Sequence, residues 1–267
     1  MSGLQIMHEK IRQEIRKRPG KFAYIISHGD EQIAYKEETV HSAASTIKVP
    51  LLIEAFRRHE AGLLELEKMI AIGEQDIVGG AGVLQALSLR SATVKDLLTL
   101  MVIVSDNTAT NLVIDLIGLE EIKTGYNTLG LYATSIHRRM MDFASLQRGY
   151  DNVISAKDLH RSLRLINESG LLSEASREAM LEMLGKQQFR DKLPYEMNEE
   201  SLWIGNKTGE LPGIEHDCGI ITYEGNTVYA ALLCSELDNQ QDGQQLIRYV
   251  GRLISEYMVS FTEEGLS

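Results

Sequence analysis

The hydrophobic period of this chain changes twice. Residues 22–27 and 32–35 read as strands, as do 202–205, 219–223 and 227–234. From about residue 42 the apolar spacing turns helical and stays so for most of the next 150 or so positions. Strand-rich ends around a helical middle imply an α/β (α+β) protein, an antiparallel sheet flanked by helices with an all-helical lobe inserted. Residues 1–41 and 200–267 would form the α/β lobe and 42–199 the insert.

Local signals sharpen this outline. Met7, Ile11 and Ile15 repeat every four residues until Pro19-Gly20, which predicts an N-terminal helix. His28-Gly29-Asp30 and Glu224-Gly225-Asn226 read as turns between strands. Residues 94–104 are apolar nearly all round, as in a buried helix, and a second helix over 109–117 ends at Gly118. Helices over 155–166 and 173–184 each begin with a Ser suited to capping. Leu246, Val250, Leu253, Ile254 and Tyr257 mark one face of a closing helix. Ahead of the helix over 155–166, residues 138–152 show neither period and predict a long loop, whose length alone suggests function.

Charge and composition remove several function classes. Lys+Arg 27 against Asp+Glu 38 leaves a net charge of −11, without a dense basic run, so neither nucleic acid nor an anionic membrane is an expected partner. With 267 residues, 43% of them hydrophobic, the chain can bury a full core without staples. The two cysteines, Cys218 and Cys234, fall on successive strand runs. They read as small buried residues, with a bridge conceivable only if the hairpin register sets them opposite. The 7 His lack metal-ligand spacing, so no metal or cofactor is expected. No window approaches the ~18 apolar residues of a membrane span. Residues 1–9 lack the features of a secretory signal, which implies a cytoplasmic protein, or a secreted one if a leader is removed ahead of residue 1. A small-molecule substrate and a monomer are expected.

Three short patterns at element ends carry chemistry. In Ser45-Thr46-Ile47-Lys48, helical spacing puts hydroxyl and amine on one face, where a partly desolvated Lys48 can act as base toward Ser45. Ser105-Asp106-Asn107 occupies the break between two helices. It suits a capping turn first, and alternatively a hydroxyl and a carboxamide facing a cleft. Lys207-Thr208-Gly209 at a strand end offers a cation, a hydroxyl donor, and a glycine beside which a ligand backbone can lie. One Ser-x-x-Lys arises by chance about once in such a chain, but all three patterns in this order only about once in a thousand.

The three patterns resemble the signature motifs of class A serine β-lactamases and the penicillin-recognising enzymes. That resemblance implies a β-lactamase/transpeptidase-like fold, with roles for each matched residue. Ser45 would be the nucleophile and Lys48 its base, Ser105 would relay a proton to the leaving nitrogen, and Asn107 would hold the substrate amide. Lys207 and Thr208 would bind the substrate carboxylate beside Gly209. The backbone amides of Ser45 and Glu210 would form the oxyanion hole.

The chain departs from that family pattern in places. The Glu that hydrolyses the acyl-enzyme in class A enzymes is replaced by Met140, or by Met141 under a one-residue shift, and a thioether cannot take a proton from water. Asp142 and Asp151 are the nearest carboxylates; Asp142 would either substitute in a rebuilt loop or tie the loop through Arg138 or Arg139. Glu210 stands where a small or hydroxyl residue is usual and would repel an anionic substrate unless it turned outward. The arginine often found on the following strand is replaced by Cys218, Gly219 and their neighbours. His216-Asp217 lies near the site in this reading, as a structural loop pair or, alternatively, an aid to binding or proton transfer. The expected activity is β-lactam opening through an acyl-enzyme on Ser45, with slow deacylation. Its alternatives are a D-Ala-D-Ala peptidase or esterase of the same superfamily and a low-turnover penicillin-binding sensor.

Overall fold

A computed structural model describes residues 2–168 and 170–265. Helix α1 (Gly3–Ile15) precedes strands β1 (Lys21–His28), β2 (Glu31–Tyr35) and β3 (Val40–Ser42). A short 3₁₀ helix, Ala44–Ile47, runs into α2 (Lys48–Glu60), followed by β4 (Met69–Ala71), β5 (Ser91–Thr93), α3 (Val94–Ile103), α4 (Asn107–Ile117) and α5 (Leu119–Thr128). Then come α6 (Phe143–Gln147), β6 (Val153–Ser155), α7 (Ala156–Asn167) and α8 (Glu174–Gly185). Strands β7 (Trp203–Leu211), β8 (Ile214–Tyr223) and β9 (Asn226–Ser235) and helix α9 (Gln240–Gly265) complete the chain.

The main sheet has the order β2-β1-β9-β8-β7 and is antiparallel throughout. Because β1 pairs with β9, the first and last strand runs of the sequence share one sheet. The β8–β9 hairpin turns through Glu224 and Gly225, both at positive φ, as the right-handed strand twist requires of a two-residue loop. Alternation sorts the strand residues onto two faces. Tyr24, Ile26 and Leu232 pack with Leu4, Ile11, Ile247 and Ile254 under α1 and α9. Ile25, Ala231 and Leu233 pack on the other face with Leu159, Leu163 and Leu184 of α7 and α8.

The four-residue repeat of α1 is its buried stripe, and Ser155 and Ser173 cap α7 and α8 as their sequence positions suggest. Helix α3 buries Val94, Leu97, Leu98, Met101 and Val102 and leaves Leu100 and Ile103 partly covered, so its all-round apolarity overstates its burial. Two further readings need correction, and the cysteines are buried as expected. Strands β7 and β8 are longer than 202–205 and 219–223, because the polar stretches Asn206–Gly209 and Glu215–Asp217 are themselves buried ladder positions. Residues 138–152 are not all loop but contain α6. Cys218 pairs with Ala231 and Cys234 with Glu215, and the two thiols lie on opposite faces of the sheet; both are free. The register therefore excludes the bridge. Among the described residues no helix is long and apolar enough to cross a membrane.

Candidate active site

Strand β3 delivers the chain to the 3₁₀ helix, and Ala44 enters it with a left-handed φ of 45°. Ser45 lies in this turn and Lys48 opens α2, one helical turn away. Apolar neighbours Ile47, Val49, Leu51 and Leu52 anchor the start of α2 in the core, so the Lys48 stem is carried inside with them and is 0% exposed. Its Nζ lies 3.1 Å from Ser45 Oγ, 2.9 Å from Ser105 Oγ, 2.8 Å from the Ser105 carbonyl and 3.0 Å from Asn107 Oδ1. An ammonium has three protons and here faces four oxygens. Only the two hydroxyls can donate in return, so a neutral Lys48 can give its two protons to the Ser105 carbonyl and Asn107 Oδ1 and accept one from Ser45 or Ser105. Burial pushes its pKa well below the usual lysine value, and the Lys207 charge pushes it further the same way.

Ser105 and Asn107 are placed by Asp106, which lies between them. Its Oδ1 caps α4 at the Ala109 amide (2.9 Å), while Oδ2 accepts from the Val83 (2.7 Å) and Leu84 (2.8 Å) amides. The capping reading of this motif thus holds for Asp106, and it frees its neighbours for the cleft. Ser105 sits at φ 54°, a costly conformation for a residue with a Cβ. Its hydroxyl bridges two amines, because Lys207 Nζ approaches to 3.1 Å from the opposite side. The Asn107 amide nitrogen donates to the Gly79 carbonyl (3.2 Å), leaving one N–H for another partner.

Lys207 and Thr208 lie inside β7, not at a strand end running into a loop. Lys207 is fully buried, and desolvation lowers its pKa to about 7 against the opposing pull of Cys218 and Asp217. Gly209 has a use other than the one its sequence position suggests. A Cβ there would meet Thr46 Cγ2 at 3.1 Å and Thr46 N at 3.2 Å, so the glycine lets β7 lie against the 3₁₀ helix that carries Ser45. Ser45, Lys48, Ser105 and Lys207 thereby join in one chain of contacts, although they are far apart in sequence.

A cleft of about 690 Å³ opens above them, walled by Asn107, Met140, Met141, Phe143, Phe189 and Thr208. On the 138–152 segment, Asn111 grips the Met140 main chain from both sides: Oδ1 accepts from its N–H (2.6 Å) and Nδ2 donates to its carbonyl (3.1 Å). Asp142 does not tie the loop to Arg138 or Arg139. It caps α6, accepting from the Ser145 amide (2.9 Å) and hydroxyl (2.6 Å), which hold its carboxyl below the usual range. The tie belongs to Asp151, 2.9 Å from Arg138, and to Asp115, 2.9 Å from Arg139.

His216 and Asp217 are strand residues of β8, fully buried, so the loop-pair reading is corrected. The Cys234 N–H donates to His216 Nδ1 (3.1 Å), which leaves the proton on Nε2 to be donated to the Ser42 carbonyl (2.9 Å). Burial lowers this imidazole to about 4; it is a neutral strut holding the approach to Ser45. Asp217 accepts from the Leu193 and Cys218 amides, and burial raises it to about 6.

Sequence reasoning missed Lys192. It sits on the cleft wall with its side chain 1% exposed, ion-paired to the buried Glu215 and 3.8 Å from Glu210, whose side chain is 60% exposed. No periodicity or motif surrounds Lys192, so its neighbours in sequence give no signal. Among the described residues no group of three or more His, Cys, Asp or Glu side chains is placed to hold a metal ion.

Residues 7–258 match the family model described as the beta-lactamase enzyme family. The chain belongs to that family. Among solved structures, a β-lactamase from Sphaerobacter thermophilus is 30% identical with a TM-score of 0.85, over 93% of this chain and 96% of that one. PBP-A is 26% identical with a TM-score of 0.86, over 96% of this chain and 97% of that one. A variant of PBP-A, also 26% identical with a TM-score of 0.87, is an acyl-enzyme complex with penicillin-G. An ancestral class A β-lactamase at 21% identity, TM-score 0.86, shares the fold over 94% of this chain and 99% of that one. No curated protein matches the chain. This β-lactamase-family protein has the β-lactamase/transpeptidase-like fold and is a serine β-lactamase/PBP-like hydrolase.

Proposed function

We propose that this protein opens β-lactams or similar acyl donors through an acyl-enzyme on Ser45, in a cleft between an α/β lobe (1–41 and 200–267) and a helical insert (42–199), and releases the product slowly. The observation that carries this reading is the fully buried Lys48 amine, 3.1 Å from Ser45 Oγ and driven toward its neutral form by desolvation. Neutral Lys48 takes the Ser45 proton as Oγ attacks the carbonyl. Ser105, in contact with both amines, passes a proton to the departing nitrogen. Charged Lys207 and Thr208 receive the substrate carboxylate, Asn107 takes its side-chain amide, and the Ser45 and Glu210 amides hold the oxyanion. Desolvation lowers both amines, and the Lys207 charge disfavours a second charge on Lys48, which suits Lys48 to the base and Lys207 to the cation.

Slow release rests on the loop. Met140 and Met141 face the cleft without a basic atom, and Asp142 is occupied as a helix cap. The acyl-enzyme of the PBP-A variant with penicillin-G supports penicillin as the probe. A peptide or ester as the natural acyl donor is the second reading, favoured by the Glu210 carboxylate at the rim. Intact-mass spectra taken over time after adding penicillin-G should show a one-to-one adduct that persists for many turnovers of a typical lactamase and is absent in Ser45→Ala. No adduct and no hydrolysis would overturn the reading.

A further inference from the structure

Lys192 makes one contact that its role in the ion pair does not require. Its Nζ donates to the Gly209 carbonyl at 3.3 Å. That carbonyl belongs to the same peptide unit as the Glu210 N–H, the amide assigned above to the oxyanion. A trans peptide is planar, with C=O and N–H pointing in opposite directions, so fixing the oxygen fixes the direction of the proton. A cation on the oxygen also draws electron density away from nitrogen and makes the N–H a stronger donor.

Gly209 faces His216 in the β7–β8 ladder, and Lys192 adds a cationic donor to its carbonyl. Strand β7 is at the edge of the sheet and ends at Leu211, one residue beyond Glu210. There Glu210 pairs with Glu215 and Leu211 with Ile214, so the hairpin holds the strand and Lys192 adds charge to the Gly209–Glu210 peptide. The restraint is costly to maintain, because Lys192 and Glu215 are both withdrawn from water, and a buried pair is repaid only when its remaining hydrogen bonds are made. Here they are made. Gln240 Nε2 (2.9 Å) and Gln244 Nε2 (3.0 Å) donate to Glu215 Oε1, so helix α9 fixes the carboxylate and the carboxylate fixes Lys192.

We infer that Lys192 is a positioning residue for the oxyanion hole: held by Glu215, it orients and polarises the Gly209–Glu210 peptide for acyl transfer. The inference rests on the acyl-transfer reading above and adds a residue outside the three motifs. Its substrate contact is the Glu210 amide, through which it acts on the transition state more than on the bound ground state.

The test compares wild type, Lys192→Met and Lys192→Arg, using a chromogenic cephalosporin for acylation and a phenylboronic acid as the tetrahedral mimic. Lys192→Met should slow acylation at saturating cephalosporin by about tenfold to a hundredfold, less than the full loss of one oxyanion donor at its upper limit. Boronate affinity should fall in parallel, with the dissociation constant of the complex before acylation nearly unchanged, and Lys192→Arg should recover most of both. Lys192→Met leaves Glu215 buried without a partner, so the double variant Lys192→Met/Glu215→Gln, which removes both charges, carries the same readouts if the single variant does not fold. A folded variant that acylates at the wild-type rate overturns the inference, as does a loss confined to the dissociation constant of the complex before acylation. If wild type itself forms no Ser45 adduct, the underlying reading fails instead, and that result is distinct because it needs no Lys192 variant.

Discussion

Met140 is the residue at which one substitution should change the outcome of the reaction most. Its main chain is clamped by Asn111 and its side chain lines the cleft beside Ser45, so the position is rigid and correctly walled but has no base. Met140→Glu should shorten the lifetime of the penicillin adduct by roughly a hundredfold, the lower range of general-base assistance, while leaving its formation rate within a few-fold. Time-resolved intact mass separates the two steps. An adduct that persists as in wild type would mean that the loop, not the missing carboxylate, keeps water from the ester. The other departure at this scale, Glu210, is milder than its charge suggests, because its carboxylate is largely in solvent and lies toward Lys192.

At the scale of elements, the site depends on a few polar side chains that bind main chain to main chain. Asn111 on α4 closes two hydrogen bonds on the Met140 peptide groups and so holds the 138–152 segment against the helical core. Asn111→Ala leaves a buried N–H and C=O unpaired and should cost about 1–3 kcal/mol. Thermal melting should show that loss, and limited proteolysis should nick 138–152 before any other segment. Unchanged melting together with an uncut loop would show that Asp151–Arg138 suffices to hold it. His216 acts similarly on the other side, joining β9 to the chain ahead of Ser45 through its two nitrogens.

For the whole molecule, buried neutral histidines dictate the response to acid. Burial lowers His41 to about 3 and His160 and His216 to about 4. Between the unfolded value near 6.5 and these folded values, the unfolded chain binds more protons, so stability falls as pH falls through that window. Asp217 opposes this, since its folded pKa of about 6 lets the native state take a proton first. Lys48, lowered by burial, acts in the same direction as the histidines, so below pH 6 the balance favours proton uptake by the unfolded chain. Tm should therefore drop steadily from pH 7 to pH 4.5; a Tm that is flat or rises over that range would contradict the account.

Much of this architecture is legible in the sequence because hydrophobic period is a local property. The α1 stripe, the β8–β9 turn and the two capped helices each follow from a dozen residues or fewer. The lengths of β7 and β8 are not legible, because Asn206, Lys207, Glu215 and Asp217 are poor strand formers that become ladder residues only once distant groups satisfy them. For the same reason Cys218 and Cys234 look pairable until the register puts them on opposite faces.

The sequence by itself determined the class of chemistry, since Ser45, Lys48, Ser105 and Lys207 carry their functional groups wherever the chain goes. Only the tertiary structure decided which of those groups touch, that Gly209 serves strand packing, and that Lys192 and Glu215 form a buried pair behind the cleft. Period and motif report on neighbours along the chain. An amine's charge, a carbonyl's orientation and the cost of a buried ion are set by neighbours in space, and those exist only after the sheet has brought the two ends of the chain together.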